Sequence, residues 1–369
     1  MIIGVPKEIK SNEFRVGLTP SCVAAYVKKG HSLLIEDNAG AGAGFENSEY
    51  QKAGAVILKN AKDIYTKAEM IIKVKEPQKA EFGFFKPGQI LFTYLHLASS
   101  IEVTEALIKA GVTSYAYEMI TDKNGAFPCL APMSEIAGKL SIQQAAKYLE
   151  KSFGGRGILM GGVPGVERAK VTVIGGGVVG SNAVKVAIGM GAEVTVLDIN
   201  TETLHAYDQH YSTSIKTLYS NEENIERVVS TSDVIVGAVL LPGKKAPHVL
   251  KKEHLSKMKK GAVLVDVAVD QGGCFETTKA TSYDDPIYIV EDILHFCVAN
   301  LPGAVPLTST KALTQQTLHY GLQLADKSFT EIQLIPDLKA ALSTHNYKLY
   351  SEEVISSLGN DLKHLDQSA

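Results

Sequence analysis

Lys170-Val171-Thr172-Val173-Ile174-Gly175-Gly176-Gly177-Val178-Val179-Gly180-Ser181 decides how the rest of the chain is read. A β-branched apolar run passes directly into a GxGxxG turn, and a helical pattern from Asn182 to Met190 follows. In that setting Gly175 permits a tight turn, Gly177 lets a pyrophosphate approach the backbone, and Gly180 lets helix and strand pack closely. The helix N-terminus then presents free N–H groups and a favourable dipole to phosphate. Glycine triplets are common in loops, so the motif needs its context. The next strand, Glu193-Val194-Thr195-Val196-Leu197, leads into Asp198. A carboxylate there accepts both ribose hydroxyls of NAD and repels a 2′-phosphate. Ile199 and Asn200 follow with no Arg, so NAD is the expected cofactor rather than NADP.

Outward from this turn the chain alternates short β-branched runs with helical stretches, the pattern of parallel sheets covered on both faces. Further strands are expected at 215–218, 234–236, 262–267 and 287–290. Before the turn they are expected at 2–5, 32–36, 70–74, 90–94 and 113–117. Thr19-Pro20 starts a helix, an N-cap residue followed by proline at the first helical position. A longer helical pattern over 134–151 leads into a glycine-dense passage, Gly154-Gly155-Arg156-Gly157 and then Gly161-Gly162-Val163-Pro164-Gly165. Helix returns over 309–325, and the tail from 337 reads as polar helices. The expected organisation is α/β with two doubly wound parallel-sheet domains. Residues 1–133 with 306–369 form one, and residues 134–305, bearing the glycine turn, form the other.

The length of 369 residues favours two lobes of roughly 150–200 residues. Apolar residues make up 45% and charged residues 21%, the proportions of a soluble globular chain. Thirty-seven basic and forty acidic side chains give a net charge of −3 with no block of one sign. Nucleic-acid binders need clustered Lys and Arg, so no nucleic-acid partner is expected. The stretch from Lys251-Lys252-Glu253-His254 to Lys259-Lys260 includes Leu255 and Met258 and reads as a solvated helix face. No apolar run of about 18 residues is present, so no membrane partner is expected. The opening residues lack the build of a signal peptide. Cys22, Cys129, Cys274 and Cys297 are scattered without a CxxC pair, which fits reduced thiols in a cytoplasmic protein better than a disulfide frame or zinc site.

Open α/β sheets bind ligands beyond the carboxyl ends of their strands. Four ionisable residues fall at such ends: Arg15 after the first strand, Lys75 after Ile71-Ile72-Lys73-Val74, His96 after Thr93-Tyr94-Leu95, and Asp270 after Val267-Ala268-Val269. Singly, each has an ordinary reading. Arg15 could pair with Glu13, Lys75 could be a surface charge, His96 could be a hydrogen-bonded core residue, and Asp270 could close an Asx turn before Gly272-Gly273. Together they are two cations, one near-neutral base and one carboxylate, which is what an amino or oxo acid needs for its carboxylate, its carbonyl and its proton traffic.

Several motifs extend this set: Gly4-Val5-Pro6-Lys7-Glu8, Arg15-Val16-Gly17-Leu18-Thr19-Pro20, Lys73-Val74-Lys75-Glu76-Pro77, Tyr94-Leu95-His96-Leu97-Ala98, Gly161-Gly162-Val163-Pro164-Gly165, Val265-Asp266-Val267-Ala268-Val269-Asp270-Gln271-Gly272-Gly273, and the run from Val298-Ala299-Asn300-Leu301 to Pro306. In these the chain resembles the alanine dehydrogenase and transhydrogenase superfamily, and within it the alanine dehydrogenases, over nearly its whole length. The resemblance implies reversible, NAD-dependent oxidative deamination of L-alanine to pyruvate and ammonium. The residues matching Arg15 and Lys75 hold the substrate carboxylate and carbonyl. The one matching His96 gives and takes a proton, and the one matching Asp270 assists it. Cofactor contacts of the family map onto Ser134, Val178, Val179, Asp198, Ser220, Val239, Leu240, Val267, Asp270, Val298, Asn300 and Leu301, besides the glycine turn. The fold implied is two Rossmann-like domains with a cleft between them, commonly assembled as a homo-hexamer.

Some positions depart from the family pattern. Leu307 stands where relatives often carry Arg, and Lys311 and Gln315-Gln316 where less polar residues are usual. Some relatives place an acidic residue and a His one helical turn apart as a metal site. Gln323 and Lys327 occupy that stretch here, so no metal is expected. Two rival readings keep the fold: the NAD-binding subunit of a proton-translocating transhydrogenase, and a non-catalytic NAD-binding module. A third keeps the enzyme and changes the amino acid, to glycine, serine or an opine-like product.

Overall fold

The computed structural model describes residues 1–239 and 247–362. Its contacts divide the chain into two compact units, Met1–Met133 with Val305–Ala369, and Ser134–Ala304. The boundary falls in the first turn of the helix Ala131–Tyr148. In chain order the strands are β1 (Ile2–Val5), β2 (Ser32–Glu36), β3 (Val56–Leu58), β4 (Met70–Ile72), β5 (Ile90–Thr93), β6 (Thr113–Ala116), β7 (Lys170–Ile174), β8 (Glu193–Asp198), β9 (Ile215–Tyr219), β10 (Val234–Gly237), β11 (Val263–Asp266), β12 (Ile287–Val290), β13 (Ile293–Phe296), β14 (Leu342–His345) and β15 (Lys348–Leu349).

The sheet of the first unit runs β15-β14-β6-β5-β4-β1-β2-β3. From β3 through to β6 every pairing is parallel. Strand order reverses between β1 and β4, so the loops leaving these neighbours diverge, which is where such sheets take ligands. Ile64, Ile71, Leu91, Leu95 and Leu107 are fully buried in one cluster on this sheet. Each contributes about 1.5–3 kcal/mol relative to exposure. Thr19 caps the helix Pro20–Lys28 by accepting from the Cys22 amide at 3.3 Å, with Pro20 at the first helical position.

The sheet of the second unit runs β12-β13-β11-β10-β7-β8-β9. All pairings are parallel except the antiparallel β12–β13 edge. Its order reverses between β7 and β10. Ile174, Leu197, Ile235, Leu264, Phe275 and Ile293 fill its core. Both units are therefore doubly wound α/β sheets, as the sequence predicts, each with an antiparallel addition at one edge.

Three features correct the expected elements. The tail is not wholly helical: β14 pairs antiparallel with β6, and β15 completes a hairpin before the helix Glu352–Leu362. Its polar residues tolerate burial because the Thr344 hydroxyl donates to Val112 O at 2.9 Å and meets Ser114 Oγ at 2.7 Å. Strand β13 was not expected, because His295 interrupts its apolar pattern. That imidazole is fully buried, with Nε2 on Thr277 Oγ1 at 2.8 Å and Nδ1 on Ile293 O at 3.0 Å. Strand β4 ends before Val74, because the Val74 and Lys75 amides turn to the Glu8 carboxylate, at 2.6 and 3.2 Å.

Candidate functional site

In the second unit, β7 runs into the glycine turn and each glycine has its own reason. Gly175 has φ +99°, and a Cβ there would lie 2.6 Å from the Ala238 carbonyl oxygen at the end of β10. A Cβ on Gly180 would lie 1.9 Å from the Gly175 carbonyl oxygen. Gly177 differs: it is exposed, it precedes the helix Val178–Gly189, and no described residue lies within 4 Å of the Cβ it lacks. Among the described residues, no side chain caps the first amides of that helix.

Asp198, at the end of β8, is fixed against this turn. Its Oδ2 accepts from the Gly176 amide at 2.6 Å and its Oδ1 from the Asn200 amide at 2.8 Å. Each oxygen keeps lone-pair capacity for a hydroxyl. Tyr207 donates to Gly176 O at 3.1 Å from below. The Ser220 amide bonds Asp198 O at 2.9 Å, and Val239 N would be 3.0 Å from a Cβ on Gly175. Val178, Val179, Ser220 and Val239 thus gather with the glycines at the carboxyl edge of the sheet, and Val267, its amide on Gly237 O at 2.9 Å, follows the next strand. Asp270 is exposed in the one-turn helix Val269–Gln271 beyond β11. Ser134 lies in the first turn of Ala131–Tyr148; Val298 and Leu301 are buried beyond β13, with Asn300 in the left-handed region at φ +61°. Leu240 lies outside the described residues.

In the first unit, Arg15 is buried in the loop after β1. Its Nε donates to Glu13 Oε1 at 2.7 Å and its Nη2 to Glu13 Oε2, a two-point pair, and its Nη1 lies 3.2 Å from Met133 Sδ. Local pairing with Glu13 is therefore real. Burial works against the guanidinium charge, and Glu13 outweighs it, holding Arg15 above its ordinary value. Lys75 is buried beyond β4, with its carbonyl accepting from Thr93 Oγ1 at 3.0 Å and its amide on Glu8.

Glu8 organises this edge. Its Oε2 accepts from Lys73 Nζ at 3.1 Å, and the same ammonium donates to Glu81 Oε1 at 2.8 Å. Tyr65 also donates to Glu81 Oε1, at 2.8 Å. One cation cannot compensate two buried carboxylates, and burial pushes the Glu8 carboxyl above its ordinary range despite Lys73. Burial opposes the Lys73 charge too, but Glu8 and Glu81 together raise it.

His96 follows β5 in the left-handed region, φ +49° and ψ +37°, and its ring is exposed. It stacks on Tyr94 at 5.9 Å and 8° between planes. Glu118 holds the backbone there: Oε1 accepts from the His96 amide at 2.6 Å and from the Leu95 amide at 3.1 Å, while His96 Nδ1 lies 3.9 Å from the same oxygen. Arg15, Lys75 and His96 are each placed at the carboxyl edge of the first sheet, which suits recognition of a carboxylate and proton exchange beside it. The sequence gives no sign of the roles of Glu8, Lys73 and Glu118, whose partners are mostly distant backbone amides and buried charges. Among the described residues no three or more His, Cys, Asp or Glu are grouped to hold a metal ion, and Gln323 bonds His319 Nε2 at 2.7 Å. No described helix is long and apolar enough to cross a membrane.

The diverging strands and the glycine turn define a class, the α/β proteins that take a dinucleotide at a sheet's carboxyl edge. Within that class the chain belongs to the Alanine dehydrogenase/PNT family: the family's N-terminal domain matches residues 4–137 and its C-terminal domain residues 141–352. It is 51% identical to an alanine dehydrogenase from Methanococcus maripaludis over 356 residues, 96% of this chain and 95% of the relative. A solved L-alanine dehydrogenase superposes with a TM-score of 0.95 and 46% identity, covering 98% of this chain and 99% of that one. A transhydrogenase from Sinorhizobium meliloti shares the fold, with a TM-score of 0.81 and 24% identity over 95% of this chain and 99% of that one.

Proposed function

We propose that the protein oxidatively deaminates L-alanine to pyruvate and ammonium with NAD, and catalyses the reverse reductive amination. The observation that carries this reading is the set Arg15, Lys75 and His96 at one sheet edge, in a chain 51% identical to an alanine dehydrogenase over 96% of its length.

The residues present fit NAD. Gly177 leaves room for a pyrophosphate over uncapped helix amides, and Asp198 offers both oxygens to ribose hydroxyls while repelling a 2′-phosphate. Ser134, Ser220, Val239, Val267, Val298, Asn300 and Leu301 are proposed as its further contacts. The chemistry NAD supplies when bound is acceptance of a hydride.

Arg15, fixed by Glu13, pairs with the substrate carboxylate, and Lys75 with the oxygen that becomes the pyruvate carbonyl. Loss of hydride from Cα leaves an iminium carbon open to water. His96 takes a proton from that water as general base. Asp270 orients the amino group and favours positive charge on nitrogen. Collapse of the carbinolamine releases ammonium, and amination returns the protons by the same groups. A homo-hexamer working in the cytoplasm is part of the same proposal.

The test is absorbance at the NADH band with purified protein, NAD and L-alanine, serine, glycine or no amino acid. A rise confined largely to alanine is expected. No rise with alanine, in a protein that binds NADH, would overturn the reading and return the chain to the transhydrogenase-subunit or non-catalytic alternatives.

A further inference from the structure

Strand β11 ends on Asp266, whose side chain is completely buried. Its Oδ1 accepts from the Ala268 amide at 2.9 Å and the Cys274 thiol at 3.4 Å. Its Oδ2 accepts from the Cys274 amide at 2.8 Å, the Phe275 amide at 3.3 Å and the Thr278 hydroxyl. All these donors lie on the segment that leaves β11, and between the first and the rest sits the turn Val269–Gln271 that carries Asp270.

The turn closes through the Gly272 amide on Val269 O and the Gly273 amide on Ala268 O, both at 3.1 Å. Gly272 and Gly273 have φ of +90° and +77°. A Cβ on Gly273 would lie 2.7 Å from Asp266 Oδ2, so glycine and carboxylate are fitted to one another. Beyond it, Thr277 is held by His295 Nε2 at 2.8 Å and by the Tyr288 hydroxyl, which donates to Thr277 O at 2.8 Å. One side chain therefore fastens both ends of the turn. Every partner is a donor, so an amide in its place would set its NH2 against N–H or O–H groups.

We infer that Asp266 is a positioning residue of the reaction, fixing where the Asp270 carboxylate stands without touching substrate. The inference rests on the role proposed for Asp270. Outer groups that orient a functional side chain act through it, so their removal and its removal do not add.

The experiment compares Asp266→Asn, Asp270→Asn and the double variant for alanine turnover, with NADH binding by fluorescence as the folding readout. Asp266→Asn is expected to lower kcat by about 10- to 100-fold with NADH still bound, and the double variant to be no slower than Asp270→Asn. Thr278→Val, which removes one donor, is expected to show the same non-additivity at smaller size and serves if Asp266→Asn does not fold. Unchanged kcat in Asp266→Asn, or losses that multiply in the double variant, overturns the inference and leaves Asp270 standing. Full activity in Asp270→Asn overturns the role proposed for Asp270, and the inference falls with it.

Discussion

Glu118→Ala removes the carboxylate that holds the backbone under His96. The Leu95 amide, on a fully buried residue, loses its acceptor, while the His96 amide is exposed enough to reach water. A buried amide left unpaired costs roughly 1–3 kcal/mol. A non-glycine residue in the left-handed region carries roughly 1–2 kcal/mol of its own, which His96 sheds once nothing holds it at φ +49°. Together these bias the loop away from its present geometry by about 2 kcal/mol or more, about a 30-fold loss in kcat if the imidazole must stand where it does. The assay is the initial rate of NADH formation at saturating alanine, with NADH affinity measured in parallel. The glycine turn and Asp198 are untouched, so affinity for NADH is expected to hold. Glu118→Gln keeps an oxygen for the two amides and is expected to recover much of the loss. A Glu118→Ala variant with kcat within about twofold of the parent refutes the reasoning.

Three further outcomes follow from the same geometry. Gly180→Ala places a methyl group 1.9 Å from the Gly175 carbonyl oxygen, so strand and helix must separate; a stability loss of about 1–3 kcal/mol in thermal unfolding and abolished NADH fluorescence binding are expected. Asp198→Ala frees the Gly176 amide and removes a charge that repels a 2′-phosphate; the KM for NAD is expected to rise about tenfold and NADP turnover to become measurable, and unchanged preference contradicts the assignment. Burial pushes the Glu76 carboxyl up, but Lys10, aided by Lys75 and His96, more than reverses this and holds it below its ordinary 4.5. Its contribution to stability is therefore present above pH 4.5 and lost as pH falls through the lowered folded value; the Tm of Glu76→Gln should depend less on pH across the acid range than that of the parent, and equal slopes would count against the pairing.

What the sequence disclosed and what it withheld have physical causes. The glycine turn was legible because only glycine fits Gly175 and Gly180, so backbone geometry is written directly into residue type. The parallel strands were legible as β-branched runs buried on both faces. Two antiparallel hairpins were not. Their turns, Glu291-Asp292 between β12 and β13 and Asn346-Tyr347 between β14 and β15, put all four residues at positive φ, where the sequence signal is normally glycine. The strand β3 is three residues long and too short for alternation to show. At the site, Lys75 and His96 could be placed because they follow apolar runs. Glu8 and Glu118 could not, since each serves amides brought near by topology, and Asp266 serves amides of its own loop at spacings that follow no motif.

In the proposed reaction hydride passes from the alanine Cα to NAD on this chain. L-Alanine carrying deuterium at Cα, incubated with purified protein and NAD, tests it by mass spectrometry of the dinucleotide and the oxo acid. Reduced nucleotide is expected to gain one deuterium while pyruvate carries none from that position. Pyruvate formed with unlabelled NADH, or no label transfer by a protein that binds NADH, would contradict it.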